Sequence, residues 1–277
     1  MRIFFFTLAA LVCFAANSLL TRGALGHLLL DAPGFTIIRL ATGAATLAIL
    51  LRVRGTATAE RGSWTSAVAL AGYAVAFTLA YTRIGAGAGA LLLFGAVQVT
   101  MIGTGLIRGE RPLARDWAGL ALAAGGLAWL TLPGAAAPDL LGAVLMMIAG
   151  AAWGAYSLIG RRSRDPLAAT AGNFWRAAIL GGLVLAPLYD PRSLTLKGAL
   201  LATASGAIAS GVGYTFWYSA LPHLTSVRAA LVQLSVPVMT ALAAIVILGE
   251  VFSFRLALSA VLVVAGVLIT VVRPSRG

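Results

Sequence analysis

Long apolar runs alternate with short polar connectors along the whole chain. The runs are Ile3–Leu20, Phe35–Leu51, Trp64–Tyr81, Gly85–Ile107, Trp117–Leu132, Leu140–Ile159, Leu167–Leu188, Gly198–Ser219, Thr225–Leu248 and Phe252–Val272, numbered here span 1 to span 10. Each approaches the roughly 20 residues a helix needs to cross a bilayer. The connectors carry Pro33, Pro112, Pro133 with Gly134, Pro138, Pro166, Pro191 and Pro222, residues that belong at helix boundaries. No soluble domain or extended linker interrupts the pattern, which predicts one all-α membrane unit. Arg2 followed by Ile3–Ala16 also fits a secretory signal peptide, but this segment has a counterpart later in the chain and is read as a span.

Composition agrees with that reading. Of 277 residues, 60% are hydrophobic and 10% charged, against roughly a quarter charged in a soluble domain. The formal charge of +12 forms no basic face, so membrane topology accounts for it and nucleic acid is not expected as a partner. Cys13 is the sole cysteine, which excludes an intrachain disulfide, and no metal or cofactor is expected. With the N-terminus in the cytoplasm, Arg2, Arg52, Arg54, Arg61, Arg108, Arg111, Arg115, Arg161, Arg162, Arg164, Arg228, Arg273 and Arg276 fall on the inner side. Only Arg22, Arg83, Arg192, Lys197 and Arg255 fall outside. This asymmetry predicts both termini in the cytoplasm, and so an even number of spans.

The chain also repeats at an offset of about 140 residues. Leu91–Glu110 aligns without gaps to Leu231–Glu250, followed by Arg115 with Arg255 and Gly126 with Gly266. Earlier, Asn17-Ser18-Leu19 meets Tyr156-Ser157-Leu158, Arg39 meets Arg176, and Tyr81 meets Tyr218. The halves are residues 1–134 and 135–277. Five spans per half is an odd number, so the second half would insert upside down, as in many alternating-access transporters. The predicted fold is ten transmembrane helices in two inverted five-helix repeats.

Gly109-Glu110 and Gly249-Glu250 at the ends of spans 4 and 9, Arg39 and Arg176 early in spans 2 and 7, and Gly126 with Gly266 resemble the drug/metabolite transporter superfamily. The resemblance covers essentially the whole chain and points to the ten-span EamA-type exporters. Among these the chain is similar to bacterial exporters of aromatic and other neutral amino acids. It implies a bacterial inner-membrane carrier, not an enzyme, with a small-molecule substrate, a lipid surround and a monomeric state.

Individual residues sharpen or blunt that expectation. Gly85–Ala90 fits a dinucleotide-binding pattern, but no strand precedes it, so Gly85 with Gly89 reads as a close-packing face, as do Gly150 and Gly154. Arg39 and Arg176 lie one or two turns from a span end, where snorkelling is easy. They read as capping or pairing groups, with contact to a substrate carboxylate as the alternative. Glu110 and Glu250 read as salt-bridging anchors. All acidic residues lie at or outside span ends, and His27 and His223 lie in loops. A proton-driven carrier needs an intramembrane titrating group, so gradient-driven transport is expected. An intramembrane enzyme would need a nucleophile or metal constellation, and a channel a ring of charges or carbonyls; neither pattern is present.

The candidate substrate-binding residues are the aromatics and amides inside the spans. They are Asn17, Tyr73, Phe77, Tyr81, Phe94, Gln98, Trp153, Tyr156, Tyr214, Trp217 and Gln233. Aromatic walls with a few amides suit a zwitterion bearing an apolar side chain. A nucleobase, vitamin or drug-like compound is the alternative cargo.

Overall fold

The computed structural model describes residues 2–55, 60–84, 86–131, 139–161, 163–248 and 254–271. Every regular element among them is helical. Six stretches are long and apolar enough to cross a membrane: Arg2–Leu25, Ala32–Arg54, Trp64–Tyr81, Leu140–Gly160, Pro166–Leu188 and Leu196–His223. The other predicted spans appear as Ala86–Ile107, Ala114–Thr131, the pair Ser226–Gln233 and Ser235–Leu248, and Phe254–Val271. The order of ten helical segments matches the apolar runs. Gly85, Gly134, Arg162 and the Gly249-Glu250 pair lie outside the described residues.

Two spans differ from the uniform helices expected. Span 8 passes through a π-helical stretch, Ser205–Val212, before resuming as Gly213–Ala220. Its small side chains let the backbone close on span 2, where a Cβ on Gly206 would overlap the Arg39 carbonyl and the Thr42 hydroxyl. Span 9 breaks at Leu234. Pro237 has no N–H to offer the Gln233 carbonyl, and the Leu234 N–H instead donates to Leu231 at 3.0 Å in a tighter turn.

The acidic residues are largely consumed in ending helices. Asp31, Asp139 and Asp165 are N-caps whose carboxylates accept from Gly34, Gly142 and Ala168. Such caps satisfy N–H groups that have no partner within the helix. Asp116 accepts from the Leu113 N–H at 2.9 Å, and Asp190 from the Arg192 N–H at 3.0 Å.

Loop contacts sort onto two ends of the bundle. At one end, Arg54 forks onto Asp165 at 2.6 and 2.7 Å, Asp165 N–H donates to Glu60, and Arg161 pairs with Glu110 at 3.0 Å. At the other, Asp31 accepts from Asp190 N–H, Thr195 donates to Leu29, and Arg83 faces Asp139 at 3.6 Å. Each link joins loops that an up-and-down chain places on one side.

Helix pairing follows the repeat. Span 3 packs on spans 6 and 7, and span 4 on span 6. Exchanging the halves turns these into span 8 on spans 1 and 2, and span 9 on span 1, all of which are present. Spans 2 and 7, 4 and 9, and 5 and 10 pair with each other. Spans 4 and 6 meet at Gly150, where a Cβ would overlap the Leu93 carbonyl and lie 2.8 Å from Ala96, the small-residue approach expected between membrane helices.

Candidate functional site

Aromatic side chains from spans 1, 3, 6, 7 and 8 converge where the halves meet. Trp153 is the hub. Its ring lies 5.2 Å from Phe14, 5.2 Å from Tyr73, 5.9 Å from Tyr156 and 4.9 Å from Tyr214. Phe14 and Phe174 close on Tyr214 edge-on at 5.7 and 5.3 Å, and Phe14 also meets Trp217 at 5.7 Å. Span 3 extends the surface through Tyr73–Phe77 and Phe77–Tyr81, at 5.3 and 4.7 Å. Separations and tilts of this kind suit the ring quadrupoles.

Most polar atoms in the cluster are partnered, although the Tyr156 hydroxyl is buried without a hydrogen-bond partner. The Trp153 indole N–H donates to Gln233 Oε1 at 2.6 Å, and the Gln233 amide donates to Ala229 O at 3.1 Å and to Met101 Sδ at 3.3 Å. Gln233 is the residue just before the break in span 9, so the irregular backbone sets the side chain that holds the hub. Trp217 Nε1 donates to Ser157 at 3.3 Å, and Tyr218 donates to the Tyr156 carbonyl at 3.0 Å.

Arg39 sits against this cluster, 1% exposed. Its Cα lies about 11 Å along span 2 from the helix start, yet its head turns into the protein instead of snorkelling to a surface. Nε donates to Ser210 at 3.0 Å and Nη2 to Tyr214 at 3.1 Å. The guanidinium lies over the rings of Tyr73 and Phe77, at 5.5 and 6.0 Å. Nη1 is buried with no hydrogen-bond partner. Arg176, its counterpart in the repeat, does behave as a structural group. It donates at 2.6 Å to the Arg61 and Gly172 carbonyls and stacks on Trp64 and Trp175.

Of the residues expected to line a site, Tyr73, Phe77, Tyr81, Trp153, Tyr156, Tyr214, Trp217 and Gln233 form one connected group. Phe94 is buried in the same core but belongs to none of these ring pairs. Asn17 instead joins spans 1 and 8, accepting from Ser205 at 2.5 Å. Gln98 donates to the Ala230 carbonyl at 2.9 Å and leaves its Oε1 buried without a partner. Phe14, Phe174 and Ser210 join the cluster without any signal in the sequence. Phe14 lies in an apolar run like any other, and only the packing of span 1 on span 8 brings it to the hub.

At one end of the cluster's helices, Glu110 ties spans 4, 6 and 9 together. It accepts from Arg161 at 3.0 Å, from the Ser226 hydroxyl at 2.8 Å, and from the Ser226 N–H at 3.0 Å. Burial pushes its pKa up, but the hydrogen bonds from Arg161 and Ser226 outweigh this and hold it below its ordinary value. The anchoring role expected of Glu110 is thus what its geometry provides. Glu250, its counterpart, lies outside the described residues.

Comparison with known proteins completes the picture. The EamA-like transporter family model matches residues 140–272, the second half. A protein of Pseudomonas aeruginosa with no assigned activity is 50% identical over 262 residues, covering 94% of this chain and 91% of its own length. An uncharacterized transporter of Archaeoglobus fulgidus is 25% identical over 232 residues, covering 78% of this chain and 79% of its own. A crystal structure at 18% identity superposes with a TM-score of 0.85 over 99% of both chains, which shows a shared fold. The chain belongs to the EamA-like transporter family within the drug/metabolite transporter superfamily, and is a multi-pass membrane transporter of small molecules.

Proposed function

We propose that this transporter exports amino acids, favouring aromatic and other large neutral side chains, by alternating access across a bacterial inner membrane. The observation that carries the reading is the ring cluster centred on Trp153, with Gln233 fixing the indole and rings within 6 Å on several sides. Such a surface suits an apolar or aryl side chain, and an adjacent polar group suits the charged end of a zwitterion. The two halves, residues 1–134 and 135–277, move against each other as inverted repeats, and both termini face the cytoplasm. Symmetric helix pairing and the segregation of loop contacts support this arrangement.

Transport follows the substrate gradient. The described carboxylates are engaged at helix ends, in caps, ion pairs or backbone contacts, away from mid-membrane where a proton carrier would sit. Counterflow into liposomes loaded with unlabelled substrate tests the proposal. Labelled phenylalanine, tryptophan and leucine should exchange faster than alanine, with little response to an imposed pH gradient. Exchange of nucleobases or vitamins in place of amino acids would refute the cargo. Accumulation abolished by a protonophore would refute the gradient-driven mechanism.

A further inference from the structure

Arg39 is the most deeply buried charge among the described residues inside the spans. Arg54 and Arg161 pair with carboxylates, and the half-buried Arg176 with two carbonyls, although its Nε has no partner. Arg39 instead has the hydroxyls of Ser210 and Tyr214, a further polar contact with the Tyr73 hydroxyl, and two ring faces. No carboxylate among the described residues lies within ion-pairing distance of it, and Nη1 meets no acceptor. Removing a cation from water is costly unless an anion and further hydrogen bonds replace its hydration, and an ionisable group within a span marks a substrate path by default. The fixed geometry shows where an anion would attach. Ser210 and Tyr214 hold the Nε–Nη2 edge, so Nη1, buried and without an acceptor, is the nitrogen that a carboxylate would bind when the halves part.

We propose that Arg39 anchors the carboxylate of the transported molecule and so sets the substrate class as carboxylates bearing an aryl or large apolar group. This rests on the transport reading above and assigns to one residue the discrimination between acids and the amines or neutral drugs of similar shape. The anchor and the aromatic wall are continuous. The Tyr214 hydroxyl oxygen accepts from Arg39 while its ring lies 4.9 Å from Trp153, and Tyr73 lies under the guanidinium and 5.2 Å from Trp153. A carboxylate on Nη1 would thus be placed beside Tyr73 and Tyr214, with its side chain directed along those rings toward Trp153. Asn17 and Gln98, which bond within the protein, are not needed for that end of the substrate.

The test uses purified full-length protein and three probes: phenylalanine, 3-phenylpropionate, which lacks the ammonium, and phenethylamine, which lacks the carboxylate. Thermal stabilisation by each reports binding to the folded state. Phenylalanine should bind wild type about 10- to 150-fold more tightly than phenethylamine, the range of a hydrogen bond to a charged group. Arg39→Gln should bring that ratio close to one, and Arg39→Lys should restore part of it. A purely structural arginine would lower the folded yield without changing the ratio. Equal binding of phenylalanine and phenethylamine by wild type overturns the anchor even if Arg39→Gln does not fold, as does a folded Arg39→Gln that keeps the wild-type ratio. Stabilisation by none of the three probes also overturns it. Stabilisation by 3-phenylpropionate and not by phenylalanine supports the anchor and refutes the amino-acid cargo.

Discussion

Replacing Trp153 with alanine removes the hub of the ring cluster and tests whether it serves packing alone. The indole contacts four rings at 4.9–5.9 Å and donates to Gln233 at 2.6 Å. Truncating a buried tryptophan costs about 3–5 kcal/mol in a soluble core. The orphaned Gln233 oxygen adds about 1–3 kcal/mol if it finds no new donor, so Trp153→Ala should melt well below wild type. Substrate recognition should fall on top of this, but selectively. Burying a large apolar side chain contributes about 1.5–3 kcal/mol, or about 10- to 150-fold in affinity. Uptake of phenylalanine and tryptophan should therefore drop by that factor relative to alanine, normalised to folded protein measured by size exclusion. Trp153→Phe keeps a ring and loses only the N–H, and should recover most of the discrimination. Equal losses for large and small amino acids would reduce Trp153 to a packing residue, and unchanged uptake of both would remove it from the site.

Three further outcomes are expected. Gly150→Val should separate spans 4 and 6, because its Cβ alone would overlap the Leu93 carbonyl, whereas Gly182→Ala, which meets nothing within 4 Å, should leave the melting temperature in detergent unchanged; equal melting of both would refute the close-packing argument. Glu110, held below its ordinary value by Arg161 and Ser226, contributes stability that is fully present above its unfolded pKa and is lost as pH falls through its folded pKa. Melting curves should therefore show no Glu110-dependent change between about pH 6 and 8, and a difference between wild type and Glu110→Gln that shrinks only in acid. A single Ser163→Cys in a Cys13→Ala background should be labelled from the cytoplasmic side alone, and labelling from outside would reverse the orientation.

Much of the fold is legible in the sequence because lipid imposes simple demands. Each apolar run must satisfy its backbone internally, so it becomes a helix, and prolines with capping acids mark the ends. Gly150, Trp153 and the Tyr73–Phe77 pair are readable for the same reason, since helical spacing puts them on one face. The features that the sequence conceals are three-dimensional. The distance of Arg39 from a span end suggests snorkelling, but the close approach of span 8 at Gly206 brings Ser210 and Tyr214 to its head group and keeps it inside. Asn17 and Gln98 look like substrate ligands because an amide in a span needs a partner. Those partners turn out to be Ser205 and the Ala230 carbonyl, on neighbouring helices.

The local irregularities explain why two halves with matching helix partners present an unmatched site. Spans 3 and 4 of the first half are continuous helices, while their counterparts, spans 8 and 9, carry the π-helical stretch and the break at Leu234. Each irregularity lies beside a residue that the cluster depends on: Ser210 within the first and Tyr214 just beyond it, Gln233 just before the second. A π turn inserts a residue relative to an α-helix and rotates the rest of the helix about its axis. Ser205 can thus face Asn17 on span 1 while Ser210 and Tyr214 face Arg39 on span 2. Symmetric packing accounts for the bundle, and departures from regular helix in one half give its interior a chemically polarised centre. The cation lies on span 2, the hydroxyls that orient it on span 8, and the amide that fixes the indole on span 9. A repeat whose halves were locally identical would duplicate the cation site, but Arg176 is drawn to the Arg61 and Gly172 carbonyls instead, so the proposed anchor for a substrate carboxylate rests on Arg39, the guanidinium buried against the rings.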